Sequence, residues 1–174
     1  MRRVSQKEQI EAMMTRPIPK KKVGIVHLEL VKESQCLYGT GRFHGPKDLV
    51  EMIQPMCQKA HQEMVLVCTT NSKLEIQAVE IVAVGGLNAC YVDMRDVFKL
   101  AVASNAAYII CLHNHPSGDP EPSYEDSRLT KRLKEAGKIL GIRLLDHIIL
   151  GEAGRYYSFE ESDTGFHDED EKTA

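Results

Sequence analysis

Long apolar runs are missing from this 174-residue sequence, and no apolar segment follows its charged N-terminus, MRRVSQKEQIEAMM. Crossing a bilayer takes about 20 consecutive apolar residues, so we expect no membrane-spanning helix and no secretory signal. Cysteine is sparse, with five residues at positions 36, 57, 68, 90 and 111 and no CxxC spacing. This distribution is untypical of a disulfide framework or a cysteine zinc site, and it favours the cytoplasm. GxGxxG and Walker sequences are also absent, which argues against a phosphate-binding loop.

Charge concentrates at the two ends of the chain. Residues 160–174 hold seven acidic residues and one lysine, whereas seven of the basic residues lie in the first 22 positions. We therefore predict a basic N-terminal extension over 1–22, one domain over 23–159 and an acidic, disordered tail over 160–174. The basic extension is either a solvated terminus or a contact for nucleic acid or an acidic partner.

Hydrophobic periodicity predicts an α/β domain with a mixed sheet flanked by helices. Strands are predicted at 23–31, 63–69, 73–84, 106–112, 142–150 and 155–159, and helices at 46–60, 93–104 and 123–140. The run at 106–112 is apolar throughout, which is typical of a central strand buried on both faces. A phase shift between Ala78 and Val79 predicts a β-bulge. Strand 23–31, as an exposed edge, could pair two copies of the chain, so a homo-oligomer is one hypothesis.

Two histidines directly follow the predicted central strand. On extended backbone, residues two apart point to the same side, so the rings of His113 and His115 can face one point. Ser123 and Asp126 lie three apart at the start of the next predicted helix, and they share one helix face. Two imidazoles and one carboxylate form a catalytic type of zinc site, with the fourth position left for water. Zinc would lower the pKa of that water toward about 7.

Each part of this pattern also has a simpler interpretation. Ser123 and Asp126 could form only a helix-capping box, and a His-x-His sequence in a loop is common. The contiguous letters His-Asn-His differ from the HNH nucleases, which spread those residues over a ββα unit. The combination of His-x-His, seven residues, Ser, two residues and Asp, between a buried strand and a helix, is far more specific than any part.

The spacing His113-x-His115-x7-Ser123-x2-Asp126 resembles the JAMM motif of the MPN/JAB metallopeptidase superfamily. The longer segment HNHPSGDPEPSYED, preceded by RDVFKLAVASNAAYIICL and followed by LTKRLKEAGKILGIRLLDHIIL, is similar to the RadC family within it. The similarity extends over about residues 23–159. It implies a three-layer, cytidine-deaminase-like fold and one zinc ion (Zn2+) held by His113, His115 and Asp126.

The same resemblance implies roles for other residues. JAMM proteins use a glutamate on a neighbouring strand as general base, and the matching residue is Glu63, which by itself would be interpreted as an exposed surface acid. Ser123 resembles the serine whose hydroxyl stabilises the oxyanion of the tetrahedral intermediate. Asp146 and His147 also match the family, and they either support the zinc site or form a hydrogen-bonded core pair.

The resemblance therefore implies a zinc-dependent hydrolase that cleaves an amide bond in a peptide or isopeptide protein substrate, with Glu63 and Ser123 as catalytic residues. The alternative hypothesis is a scaffold or DNA-repair-associated module that acts by binding protein or DNA. The nucleic-acid hypothesis depends on the basic segment 1–22, which is too short for the helix-hairpin-helix-like region common in RadC proteins. No membrane partner is expected.

Overall fold

The computed structural model describes residues 11, 26–31, 41–57, 60–85 and 92–162. Their elements are, in chain order, α1 (Pro46–Cys57), β1 (Glu63–Thr70), β2 (Ile76–Gly85), α2 (Met94–Ala103), β3 (Tyr108–Asn114), α3 (Tyr124–Leu140), β4 (Arg143–Leu150), a 3-10 turn (Glu152–Gly154) and β5 (Tyr156–Ser158). The strands form one sheet in the order β2-β1-β3-β4-β5. Because β3 and β4 run parallel and the other neighbours antiparallel, the predicted mixed sheet is confirmed.

Helices cover both faces of this sheet and so produce three layers. Side chains alternate between the faces of a strand, and the two faces contribute to two separate buried clusters. The cluster under α1 includes Leu49, Ile53, Leu66, Ile110 and Leu112. The cluster under α2 and α3 includes Val65, Phe98, Ile109, Leu133 and Ile149. Residues 109–112 of β3 have no exposed surface, as predicted for a central strand buried on both faces.

The crossover from β3 through α3 to β4 determines where a site can form. Parallel neighbours require such a crossover, and its helix begins near the end of the first strand. Ser123 caps the N-terminus of α3, and Gly141, with a φ of 70°, ends the helix in the left-handed conformation that glycine adopts easily. The end of β3 and the first turn of α3 are therefore neighbours at one edge of the sheet.

Some local predictions are wrong. Residues 26–31 are not a strand: Val26 is 85% and Leu28 is 89% exposed, so their alternation has no buried face to stabilise it. The remainder of the predicted strand 23–31 lies outside the described residues. The register of β1 against β2 shifts near Gln77 and Val82 and not between 78 and 79.

Helix α3 buries polar residues near its N-terminus. Asp126 and Thr130 are buried, whereas Leu140 at the end of the helix is 48% exposed. The helix therefore turns polar side chains toward the sheet near its N-terminus. None of the helices described here is long and apolar enough to span a membrane. The predicted basic extension, apart from residue 11, and residues 163–174 of the predicted tail lie outside the described residues, so those predictions stay untested.

Candidate metal centre

Four side chains predicted to act together meet at the edge of the sheet where β1 begins and β3 ends. Glu63 is the first residue of β1, His113 lies near the end of β3, His115 follows that strand, and Asp126 is in the first turn of α3. One nitrogen or oxygen atom from each lies within 4.8 Å of the corresponding atoms of the other three. The structure thus brings together residues from three separate elements.

The pairing of β1 with β3 accounts for the position of Glu63. Val65 is the antiparallel partner of His113. Two residues further along, the same register brings Glu63 opposite His115, on the face of the sheet that α2 and α3 cover. Glu63 Oε1 lies 3.7 Å from His113 Nε2. A glutamate 50 positions away in the sequence is therefore next to both imidazoles.

Asn114, the residue between the two histidines, holds the backbone on both sides of Glu63. Its Oδ1 accepts a hydrogen bond from the Met64 amide at 2.9 Å, and its Nδ2 donates to the Gln62 carbonyl at 3.2 Å. The side chain is buried. Sequence reasoning missed this role, although a polar residue two positions after the apolar run 106–112 is a signal for it.

His115 is oriented by the turn that follows it. Its Nδ1 lies 2.8 Å from the Asp119 carbonyl oxygen. Because a carbonyl only accepts hydrogen bonds, Nδ1 carries a proton and Nε2 faces the cluster. The turn is itself attached to the loop after β4, since the Gly118 carbonyl accepts hydrogen bonds from the Glu152 amide and the Arg155 guanidinium, both at 2.9 Å. The Asp119 carbonyl thus determines which nitrogen of His115 faces the cluster, and the loop after β4 holds the turn that carries this carbonyl.

Asp126 combines two functions that the sequence presented as alternatives. Its Oδ2 accepts hydrogen bonds from the Ser123 amide at 2.7 Å and the Ser123 hydroxyl at 2.6 Å, while its own amide donates to Ser123 Oγ. These contacts form the predicted capping box. Its Oδ1 lies 3.1 Å from His113 Nε2, and Oδ2 lies 3.5 Å from His115 Nε2. The same carboxylate caps α3 and faces both imidazoles.

Burial and interactions among its members together shift the pKa of each residue in this cluster. Burial raises the pKa of Glu63 to about 7. Burial would also raise the pKa of Asp126, but the adjacent His113 and His115 imidazoles and the hydrogen bond from Ser123 outweigh it and hold that pKa well below its usual range. Burial lowers the pKa of His113, whereas the hydrogen bond to Asp126 raises the pKa of His115. The cluster thus contains an ionised aspartate beside two imidazoles.

The donor set fits a divalent cation of the zinc type. Two imidazole nitrogens and a carboxylate are ligands that zinc takes in catalytic sites. The two Nε2 atoms of His113 and His115 face each other at 3.0 Å. Glu63 Oε2 is buried and has no hydrogen-bond partner among the described residues. A buried polar atom without a partner is unfavourable, so a cation or its bound water would satisfy it.

His147 and Thr130 lie directly behind this cluster. His147 Nε2 is 2.9 Å from His113 Nδ1, and His147 Nδ1 is 2.7 Å from the hydroxyl of Thr130. Asp146 bonds instead to the Ser158 hydroxyl and the Glu160 amide. The side chains of Asp146 and His147 thus have different partners. The sequence analysis did not predict a role for Thr130, although its position four residues after Asp126 puts it on the same face of α3.

An open cavity of about 300 Å³ lies beside His115. The end of α1, the end of β3 and the turn after β4 line it, through residues that include Gln54, Asn114 and 150–154. Among the four clustered residues, His115 is the one that lines this cavity.

Comparison with known proteins gives a consistent result. The family model described as "RadC-like JAB domain" matches residues 43–165. A UPF0758 protein of Alkaliphilus metalliredigens is 45% identical over 120 residues, which cover 69% of this chain and 51% of the relative. A UPF0758 protein of Listeria monocytogenes serotype 4b is 48% identical over 116 residues, covering 67% and 51%. The chain spans about half the length of the curated relatives it matches.

Proposed function

Since the chain belongs to the RadC family of the JAB/MPN superfamily, we propose that it is a zinc-dependent hydrolase that cleaves an amide bond in a peptide or an isopeptide-linked protein. The observation that carries this proposal is the convergence of one atom each from Glu63, His113, His115 and Asp126 within 4.8 Å. Buried acids and imidazoles with perturbed pKa values concentrate at catalytic sites.

In this proposal, His113, His115 and Asp126 hold the zinc ion and Glu63 does not. Zinc bound by three protein ligands supplies Lewis-acid polarisation of a carbonyl and makes a water molecule acidic. Hydrogen bonds from Ser123 orient the Asp126 carboxylate, and the Asp119 carbonyl orients the His115 ring. Fixed ligand orientation of this kind strengthens a metal site.

Glu63 is the proposed general base. Burial raises its pKa to about 7 in the protein alone, and a nearby cation would lower that pKa and favour the carboxylate. The ionised group can take a proton from the attacking water and return it to the departing amine. Asn114 keeps the backbone around Glu63 in place during this transfer, because it bonds to the residues on both sides.

Ser123 is the proposed donor to the oxyanion. In the structure its hydroxyl donates to Asp126 Oδ2. To stabilise negative charge on a substrate oxygen, the hydroxyl must turn away from this carboxylate, while the Ser123 amide retains its own bond to Asp126. The hydrogen bond from the Ser123 amide to Asp126 Oδ2, which is part of the α3 cap, would then survive the catalytic step.

The first test is the metal content of the untagged chain and of two variants, measured by mass spectrometry. We expect about one zinc ion per chain in the unsubstituted protein and in Glu63→Gln, which keeps the shape of the side chain without a basic carboxylate. Asp126→Ala should lose the metal. Hydrolysis of a panel of peptide and isopeptide-linked substrates should fall by a factor of about 10² to 10⁴ in Glu63→Gln.

Two outcomes would contradict the proposal. An unsubstituted chain that takes up no zinc after reconstitution at neutral pH is not a zinc hydrolase, and retained binding of a protein or DNA partner would then favour the scaffold alternative. Full activity of a zinc-loaded Glu63→Gln variant would contradict the role of the glutamate. Circular dichroism of each variant separates these results from loss of folding.

A further inference from the structure

A continuous chain of hydrogen bonds extends from the candidate metal centre into helix α3. It connects His113 Nδ1 to His147 Nε2 at 2.9 Å, and His147 Nδ1 to Thr130 Oγ1 at 2.7 Å. Thr130 Oγ1 lies 2.8 Å from the carbonyl oxygen of Asp126, one turn earlier in the helix. All four residues are buried, at 5% exposure or less. The chain therefore begins and ends at residues of the same site.

The positions of the protons in this chain follow from its last member. A backbone carbonyl can only accept, so the single hydroxyl proton of Thr130 is donated to Asp126. The hydroxyl oxygen then has only its lone pairs for His147, and His147 Nδ1 must carry a proton and donate it. A carbonyl group with no capacity to donate thus sets the tautomer of a histidine in a neighbouring strand.

The hydrogen bond between His147 and His113 then determines which nitrogen of His113 carries the proton. His147 has no exposed surface and stacks on Phe159 with ring centroids 5.1 Å apart. Its side-chain hydrogen-bond partners are a hydroxyl and another imidazole, so a positive charge there would be costly. A neutral ring protonated on Nδ1 has a bare Nε2. His113 Nδ1 must therefore be the donor between the two rings.

We propose that Thr130 and His147 are positioning residues that keep the proton of His113 on Nδ1, so that the Nε2 lone pair faces Glu63, His115 and Asp126. This inference rests on the proposed function, because it concerns how the chain prepares one zinc ligand. In the opposite tautomer, a proton on Nε2 would point into the cluster and block a cation. The hydroxyl of Thr130 thus controls a ligand atom with which it has no contact.

Replacing Thr130 tests this control without altering any proposed ligand. Thr130→Val keeps the side-chain shape but removes the acceptor for His147 Nδ1, which favours moving the proton of that ring to Nε2. His147 would then donate to His113 Nδ1, and the His113 proton would shift to Nε2. Thr130→Ser is the matched control, since it retains the hydroxyl.

We would measure zinc affinity by competition with a chelator and follow the ring nitrogens of metal-free protein by ¹⁵N NMR. Thr130→Val should bind zinc about 10 to 100 times more weakly, whereas Thr130→Ser should bind it like the unsubstituted chain. The spectra should show protons on Nδ1 of both His113 and His147 in the unsubstituted chain and a shift to Nε2 in Thr130→Val. Thermal unfolding of metal-free samples identifies any variant that fails to fold.

If Thr130→Val fails to fold, His147→Gln and His147→Leu replace it. Glutamine offers an oxygen that can accept from His113 Nδ1, and leucine does not, so only leucine should weaken zinc binding strongly. Unchanged zinc affinity in Thr130→Val, or a proton on His113 Nε2 in the metal-free unsubstituted chain, would overturn the inference. Absence of zinc binding by the unsubstituted chain would refute the proposed function instead, and the ring spectra would still decide the tautomer.

Discussion

Replacing Asp146 with asparagine should remove a pH dependence from the stability of this fold. Asp146 on β4 is only 1% exposed, and its carboxyl group accepts hydrogen bonds from the Ser158 hydroxyl at 2.7 Å and the Glu160 amide at 3.1 Å. Burial nevertheless raises its pKa from 3.8 to about 7. The folded protein therefore holds this proton more tightly than the unfolded chain does.

The sign and size of the effect follow from this shift. A raised pKa in the folded state contributes stability that is fully present below about pH 4 and is lost as the pH rises through about 7. A difference of about three units, at about 1.4 kcal/mol per unit, corresponds to about 4 kcal/mol of unfolding free energy. Asparagine cannot ionise, so the variant lacks this loss while it keeps an acceptor for the Glu160 amide.

Urea denaturation of metal-free protein between pH 4 and pH 8 measures the effect. The unfolding free energy of Asp146→Asn minus that of the unsubstituted chain should increase with pH by up to about 4 kcal/mol. Ser158→Ala is an informative control. Because it removes a donor to the carboxylate, it should raise the pKa of Asp146 further and move the loss of unfolding free energy to higher pH. A difference between Asp146→Asn and the unsubstituted chain that stays constant with pH, or decreases, would refute the reasoning.

Two further predictions concern buried backbone contacts. Asn114→Leu should lower the unfolding free energy by about 2 to 4 kcal/mol, since it leaves an amide and a carbonyl beside Glu63 without partners. The variant should also hydrolyse substrate more slowly while it keeps its zinc content. An unfolding free energy in urea equal to that of the unsubstituted chain would contradict the prediction. Gly137→Ala should destabilise the fold by about 1 to 3 kcal/mol, because a Cβ there would overlap the Ile142 carbonyl; a thermal unfolding temperature equal to that of the unsubstituted chain would show that the helix can shift at no cost.

Much of the candidate site could be predicted from short-range spacing. His113 and His115 are two apart on extended backbone, and Ser123 and Asp126 are three apart in the first turn of a helix. Backbone geometry alone puts each pair on one side of its element. Strand 23–31 shows where such reasoning is insufficient, because its alternation is real but the described residues 26–31 have no sheet to cover them. Periodicity identifies an amphipathic segment and does not identify its partner.

The sequence by itself determined the element types from α1 to β5, the cap of α3 and the two pairs of side chains that face one way, because those features depend on residues a few positions apart. Only the tertiary structure decided which atoms meet across longer separations. Met64 and Asn114 are 50 positions apart, and His113 and His147 are 34 apart, yet both pairs are hydrogen-bonded. Strand register sets these contacts, and a shift of one residue would turn every side chain to the opposite face. The proton positions that we propose for the candidate metal centre depend on that register.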